Sequence, residues 1–355
     1  MKRRSLLALL VAASGCNALL GIEAGEYDPP RDVQRDVPRD APSGDDDDDV
    51  TPNDAGAGVV RPEVMDGGVA VLATDMAIDA ITVGATHVFW TNRRSRTISR
   101  APIGGGETEA FVESTENSLG ATIVAKDGAV YFLRAGVHRC PESACAATGP
   151  ERVVPPPASI FTVAGPGATY ARGSGLYHCP VLPCAGSDVQ IAEGGARIIW
   201  SITSTSDEAV WASSVADGPL TIFARDLSRA SPERVVSPPQ DAGTLGVFAL
   251  SVADAWLVFS TTDGLYQTQL GGAGPNHRLA DGDIRSFVVR GGQIYYTDTT
   301  HGAVLVRPLE TPSSPASVLA AEQPNAHALA IGPDRTLYWA VTDDAGSRLV
   351  RLVRQ

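Results

Sequence analysis

Lysine is almost missing from this chain: among 355 residues only Lys2 and Lys126 occur, and methionine appears 3 times. Charge of either sign is sparse, at 19% of residues, and the formal balance is −13. That balance argues against nucleic acid as a partner, because neutralising a row of phosphates takes Lys and Arg in excess. The negative balance reads as a solubility device. Long apolar runs are lacking too: Leu6 to Ala13 covers eight residues, where a membrane-spanning helix needs roughly 20. Catalytic signatures are equally scarce. There is no G-x-S-x-G elbow, H-E-x-x-H pair, phosphate-binding loop or dinucleotide fingerprint. The histidines (His87, His138, His178, His277, His301 and His327) are dispersed along the chain. The sequence therefore nominates no catalytic residue, no metal ligand and no cofactor.

Glycine (36) and proline (25) are, by contrast, plentiful. Both interrupt helices and mark tight turns, so an all-β chain is expected. From Ile78 onward a two-part motif recurs seven times. An apolar residue in one short run is followed nine or ten positions later by a bulky, mostly aromatic residue in the next. The pairs are Ile81/Trp90, Ile123/Phe132, Phe161/Tyr170, Ile202/Trp211, Leu250/Phe259, Phe287/Tyr296 and Leu329/Trp339. Successive second anchors lie 42, 38, 41, 48, 37 and 43 residues apart. Short strands and glycine-rich turns at that period mark a β-propeller, whose single blades cannot bury both sheet faces alone. The expected fold is a seven-bladed β-propeller. Insertions in the fourth and fifth repeats leave six or eight blades open. The anchors are read as core between blades, not as a binding surface.

The sixth repeat shows the blade plan: Ser286 to Arg290, a Gly291-Gly292 turn, Gln293 to Asp298, Ala303 to Arg307, then Ser317 to Ala320. Its third strand recurs as Thr97 to Arg100, Val137 to Cys140, Leu176 to Cys179 and Leu265 to Thr268. The seventh repeat stops after its third strand. Val69 to Ala73, upstream of the first repeat, is similar to Ser317 to Ala321 and is expected to pair with Leu349 to Val353. That pairing completes the last blade from the N-terminal side and removes two exposed sheet edges.

Lys2, Arg3 and Arg4 precede the apolar Leu6 to Ala13, and small residues follow, as in a secretory signal covering residues 1–15. Ala13-Ser14-Gly15-Cys16 resembles the bacterial lipobox, with Ala13 in place of the usual leucine. The resemblance implies that Cys16 is acylated and becomes the mature N-terminus; plain signal-peptidase cleavage is the alternative. Residues 16–66 carry no apolar periodicity, and between Asp28 and Gly58 ten aspartates stand against three arginines. Such a segment cannot build a core and is expected to be a disordered tether. The run Asp45 to Asp49 lacks the spaced ligands and turn glycine of a calcium loop, so a solvated spacer is the preferred reading.

Four further cysteines form two matched pairs, Cys140/Cys145 and Cys179/Cys184. Their first members end aligned third strands 39 residues apart. Each pair thus falls in the turn between the third and fourth strands of adjacent blades. In an exported chain two local disulfides are expected, each worth about 2 kcal/mol on the loop-entropy model. A zinc site using all four is the alternative, disfavoured by the spacing and by the divergence of equivalent turns.

Phe89-Trp90-Thr91-Asn92 and Tyr295-Tyr296-Thr297-Asp298 resemble the Tyr-Trp-Thr-Asp repeats of low-density-lipoprotein-receptor-type propellers, and are similar to NHL-type bacterial propellers. The resemblance spans Gly67 to Gln355. It implies a binding scaffold and transfers no catalytic residue. The functional expectation is a monomeric envelope lipoprotein, held at a membrane (most simply the outer one) by its N-terminal lipid, whose propeller binds a protein or glycan. The alternative is a propeller enzyme, a lyase or hydrolase, acting at the central funnel.

Overall fold

Six of the seven anchor pairs are directly opposed across the first two strands of their blades. Ile81 faces Trp90, Ile123 faces Phe132, Phe161 faces Tyr170, Ile202 faces Trp211, Leu250 faces Phe259 and Phe287 faces Tyr296. The seventh pair, Leu329 and Trp339, lies in a register irregularity between His327 and Ala330, and both still pack in one cluster. The computed structural model describes residues 64–65, 68–75, 77–92, 94–114, 119–143, 145–195, 197–215, 219–237, 247–271 and 274–352.

Each blade is an antiparallel meander of strands A to D, and there are seven, which excludes counts of six or eight. Blade 1 runs Ala80–Val83, His87–Asn92, Thr97–Pro102 and Glu109–Glu113; blade 2 runs Leu119–Lys126, Ala129–Arg134, Gly136–Pro141 and Glu151–Val154. Blade 3 comprises Ile160–Ala164, Gly167–Arg172, Gly175–Cys179 and Val189–Ala192; blade 4 comprises Arg197–Ser204, Glu208–Val215, Thr221–Asp226 and Arg234–Ser237. Blade 5 uses Val247–Ala253, Trp256–Thr261, Gly264–Gln269 and His277–Asp281; blade 6 uses Phe287–Arg290, Gln293–Asp298, Ala303–Pro308 and Ser317–Ala320. Blade 7 takes His327–Ile331, Leu337–Asp343 and Gly346–Leu352 from the C-terminal side and Val69–Asp75 as its strand D. The only helix among the described residues is a single turn, Cys145–Thr148.

The ring closes as the sequence predicts: Val69 pairs with Leu352, Ala70 with Arg351, Val71 with Val350 and Ala73 with Leu349. A further strand, Val64–Met65, folds back on Val69 and Ala70 and gives blade 7 a fifth strand that the sequence did not announce. Strand A of each blade lies against that of the next, and blade 7's against blade 1's.

The core is a set of slabs between blades rather than one central mass. Seven apolar clusters occupy the seven interfaces. The closing slab joins Leu72, Tyr338 and Leu349 of blade 7 to Ile81 and Trp90 of blade 1. Trp90, Phe132, Tyr170 and Phe259 are wholly buried, as expected of anchors that each cover the preceding blade. Buried indole N–H groups find acceptors: Trp90 Nε1 donates to Asp75 Oδ2 at 3.0 Å and Trp339 Nε1 to Gln323 Oε1 at 3.0 Å.

One alignment read from the sequence is a residue out. Trp90 faces Ser99, whereas Phe132 faces His138, so Arg100 corresponds to Arg139 and not to Cys140. The shared position has a shared task. Arg100 pairs with Glu109 and Arg139 with Glu151, each on strand D of its own blade.

Candidate functional site

Antiparallel order places every A–B and C–D turn at one end of the ring, and the B–C turns and D–A connections at the other. The four cysteines mark the first end. Cys140 is bonded to Cys145 and Cys179 to Cys184, with Cα atoms 5.0 and 5.7 Å apart, so the zinc alternative does not hold. Both bridges pack towards the preceding blade. Cys140 and Cys145 lie against Phe89 and Ile98 of blade 1, and Cys179 and Cys184 against Val137 and Val153 of blade 2. Cys16 lies outside the described residues.

Inside the first bridged loop stands Glu142, a carboxylate that is only 7% exposed. The A–B turn of blade 1 surrounds it with donors. Ala85 N–H donates to Oε2 at 3.0 Å, while Thr86 N–H, Thr86 Oγ1 and His87 N–H donate to Oε1 at 2.8, 3.1 and 3.2 Å. Burial pushes the Glu142 carboxyl upward, but the backbone bonds from Thr86, Ala85 and His87 outweigh it and hold the group below the usual carboxylate value. A Cβ at Gly84 would run into the Glu142 carboxylate, so a larger residue there would have to push that carboxylate out of its seat. Arg100 Nη1 donates to the Glu142 carbonyl at 2.6 Å, and Glu142 N–H to Gly128 O at 2.9 Å.

Two clefts flank this seat and share the Asp127-Gly128 turn. One, of about 360 Å³, opens at the channel mouth between Val83, Lys126, Glu142, Arg290 and Pro333, and so draws on blades 1, 2, 6 and 7. The other, of about 510 Å³, lies along blade 2 between Tyr131, Arg139, Thr148, Pro150 and Glu151. Its charges are matched internally: Arg139 Nη2 sits 2.5 Å from Glu151 Oε2, and that bond raises the guanidinium above its ordinary value. Lys126 Nζ reaches Gly165 O of blade 3 at 3.1 Å. The arrangement offers shape and hydrogen-bond donors and acceptors on rigid turns, and it sets the Thr86 hydroxyl 2.8 Å from His87 Nδ1.

The histidines do not converge. Burial lowers the imidazoles of His138 and His178 below the ordinary histidine value. His327 lies between two carbonyl oxygens, with Nε2 2.8 Å from Ile78 O and Nδ1 2.8 Å from Asn325 O. At the opposite end, His301 Nδ1 sits 2.7 Å from Asp298 Oδ2, the one His–carboxylate pair among the described residues. No group of three or more His, Cys, Asp or Glu there is arranged to hold a metal ion, and no helix among them is long and apolar enough to cross a membrane. Sequence reading missed Glu142 because its partners are 55 to 57 residues away. The only available signal was its place inside a short bridged loop.

No family model matches the chain, and no curated protein matches it. Solved propellers do. The WD40 β-propeller domain of Doa1 superposes with a TM-score of 0.62 at 12% identity, covering 81% of this chain and 98% of that one. Streptogramin B lyase gives 0.56 at 12% identity, covering 80% and 96%. Virginiamycin B lyase from Staphylococcus aureus gives 0.57 at 11% identity, covering 80% and 97%. At such identities the likeness is one of fold.

Proposed function

We propose that this chain is a binding protein of the bacterial cell envelope, tethered through acylated Cys16, whose propeller engages a protein or glycan at the A–B and C–D turn end of blades 1 to 3. The observation that carries the reading is the pair of clefts meeting at Asp127-Gly128, braced by two disulfides and by Glu142. Rigid, pre-formed concavities lower the ordering cost of association. Disulfides in both adjacent loops suit an oxidising compartment, which agrees with the signal-like N-terminus. The propeller neighbours support a scaffold role only at the level of fold.

The full-length protein, carrying a photoreactive side chain at Asp127 or, as a control, at Asp343 on the opposite end, tests this in envelope membranes. A defined adduct at Asp127 and none at Asp343 is expected; adducts at neither position would remove the binding reading. Cys16→Ser should move the protein from the membrane to the soluble fraction.

The second reading is an enzyme, a lyase or hydrolase working at the funnel. The His301–Asp298 pair and the fold shared with streptogramin B lyase favour it. It requires turnover of a screened ester or glycan that disappears in His301→Ala.

A further inference from the structure

Three residues after its anchor, strand A of each blade reaches the turn that rims the channel mouth. In five blades the residue there is small and uncharged: Gly84, Ala164, Thr205, Ala253 and Gly332. In the other two it is Lys126, from blade 2, and Arg290, from blade 6, and both line the cleft of about 360 Å³. Lys126 is the only lysine among the described residues. Both side chains lie along the next turn of the ring and bond to backbone carbonyls. Lys126 Nζ donates to Gly165 O at 3.1 Å, and Arg290 Nη1 and Nη2 donate to Gly332 O at 2.6 Å and Pro333 O at 3.3 Å. Neither is paired with a carboxylate among the described residues, whereas Arg100 and Arg139 are.

Two carboxylates share the wall, and they count differently. Glu142 spends its charge inward, on the four donors of the blade 1 turn. Asp127 is exposed at its turn and opposes the two cations only in part. The ammonium and the guanidinium each keep N–H donors beyond their carbonyl bonds. The rest of the wall is small or aliphatic, with Val83, Ala125, Ile331 and Pro333, and it offers no aromatic face for a sugar ring. We infer that this cleft takes a carboxylate side chain of an acidic peptide segment, held between Lys126 and Arg290, which presupposes the binding role given to this end of the ring. Charge-assisted bonds from the two cations fix the carboxylate, and the aliphatic wall receives the neighbouring apolar side chain. A neutral or basic segment would leave both cations without a counter-charge, so the same pair sets specificity.

The test uses the full chain, reductively methylated with carbon-13 formaldehyde, which keeps the charge of each lysine and gives it an NMR signal. Lys126→Arg identifies the Lys126 signal by its loss. The probes are a capped peptide of alternating glutamate and valine, its glutamine counterpart, and polygalacturonate as an acidic glycan. The glutamate peptide should move the signal saturably and bind at least about tenfold tighter than the glutamine peptide. Arg290→Gln, on another blade, should weaken that binding about tenfold, and Arg290→Lys should restore most of it. Asp127→Asn should tighten it, since Asn tolerates the same left-handed turn and removes the opposing charge. Equal binding of both peptides, an unmoved signal, unchanged affinity in Arg290→Gln, or a response to polygalacturonate alone would overturn the acidic-peptide site. A photo-adduct at Asp127 together with an unmoved Lys126 signal would leave the binding role standing and remove only this ligand.

Discussion

Blades 2 and 3 and blades 4 and 6 finish strand C differently at one and the same place. The residue opposite the position two before the anchor is Cys140 or Cys179 in the first pair, and Arg225 or Arg307 in the second. The cysteines close a loop of their own blade and press its sulfurs into the preceding interface. The arginines reach across instead. Arg225 Nη1 donates to Ile191 O of blade 3 at 2.6 Å, and Arg307 Nη1 donates to Leu279 O of blade 5. Blades 1 and 5 have Ala101 and Thr268 there. In blades 1 to 4 and 6 the position therefore addresses the neighbouring blade, whether alanine, cysteine or arginine fills it. What differs is whether the turn is fixed covalently and locally, or by a bond that spans the interface.

The largest disturbance is expected where the spanning bond is most buried. Arg307 is 4% exposed and also donates to Pro312 O and to Ser314 O, the latter at 3.0 Å. Arg307→Ala leaves three carbonyls without donors and should lower unfolding stability by about 3 kcal/mol in urea titration. A loss under 1 kcal/mol would show that the crossing bond carries little.

Removing a bridge should matter somewhat less. Both bridges close the same sequence separation of 5, so chain entropy assigns Cys140→Ser/Cys145→Ser and Cys179→Ser/Cys184→Ser the same loss, about 2 kcal/mol. The loops are not equivalent otherwise. Val181 stands where the first loop has Glu142, and it is 58% exposed. An excess loss in the first double variant measures the Glu142 seat; equal losses would mean the seat survives without its bridge.

The smallest effect should come from that seat alone, and it depends on pH. The folded carboxyl lies below its ordinary value, so its contribution is complete above the unfolded value of about 4.5 and is lost as pH falls through the lowered folded value. Glu142→Gln should cost about 1 to 2 kcal/mol at pH 7. The deficit against the parent protein should shrink in acid. A deficit independent of pH would place the effect in packing, since His87 and Arg100 also touch this seat.

The repeat was legible because each anchor faces its partner across a hairpin, so a contact in space became a fixed distance in sequence. The same locality exposed the two bridges. Ring closure was legible for a different reason: a missing outer strand at one end matched an unassigned one at the other, and Val69–Asp75 fills it. The clamp position was hidden by variable B–C turns. Cys140 lies eight residues after Phe132, whereas Arg225 lies fourteen after Trp211. A one-residue slip in blade 1 then set Arg100 beside Cys140. Glu142 was invisible because its donors lie on another blade and all but the Thr86 hydroxyl are backbone N–H groups, which carry no residue signature. Cys16, on which the expected anchoring depends, lies outside the described residues.

The chain enters the propeller at Val64–Met65, hairpinned to the strand that closes the circle. Any pull arriving from the N-terminal side is therefore delivered to the seam. The short hairpin parts first, and next in line is Val69–Asp75, whose departure would leave blade 7 three-stranded and bare Leu349 and Tyr338 to water. Under such a pull, the two strands that the chain enters first, and not the other six blades, would bear the load at the outset.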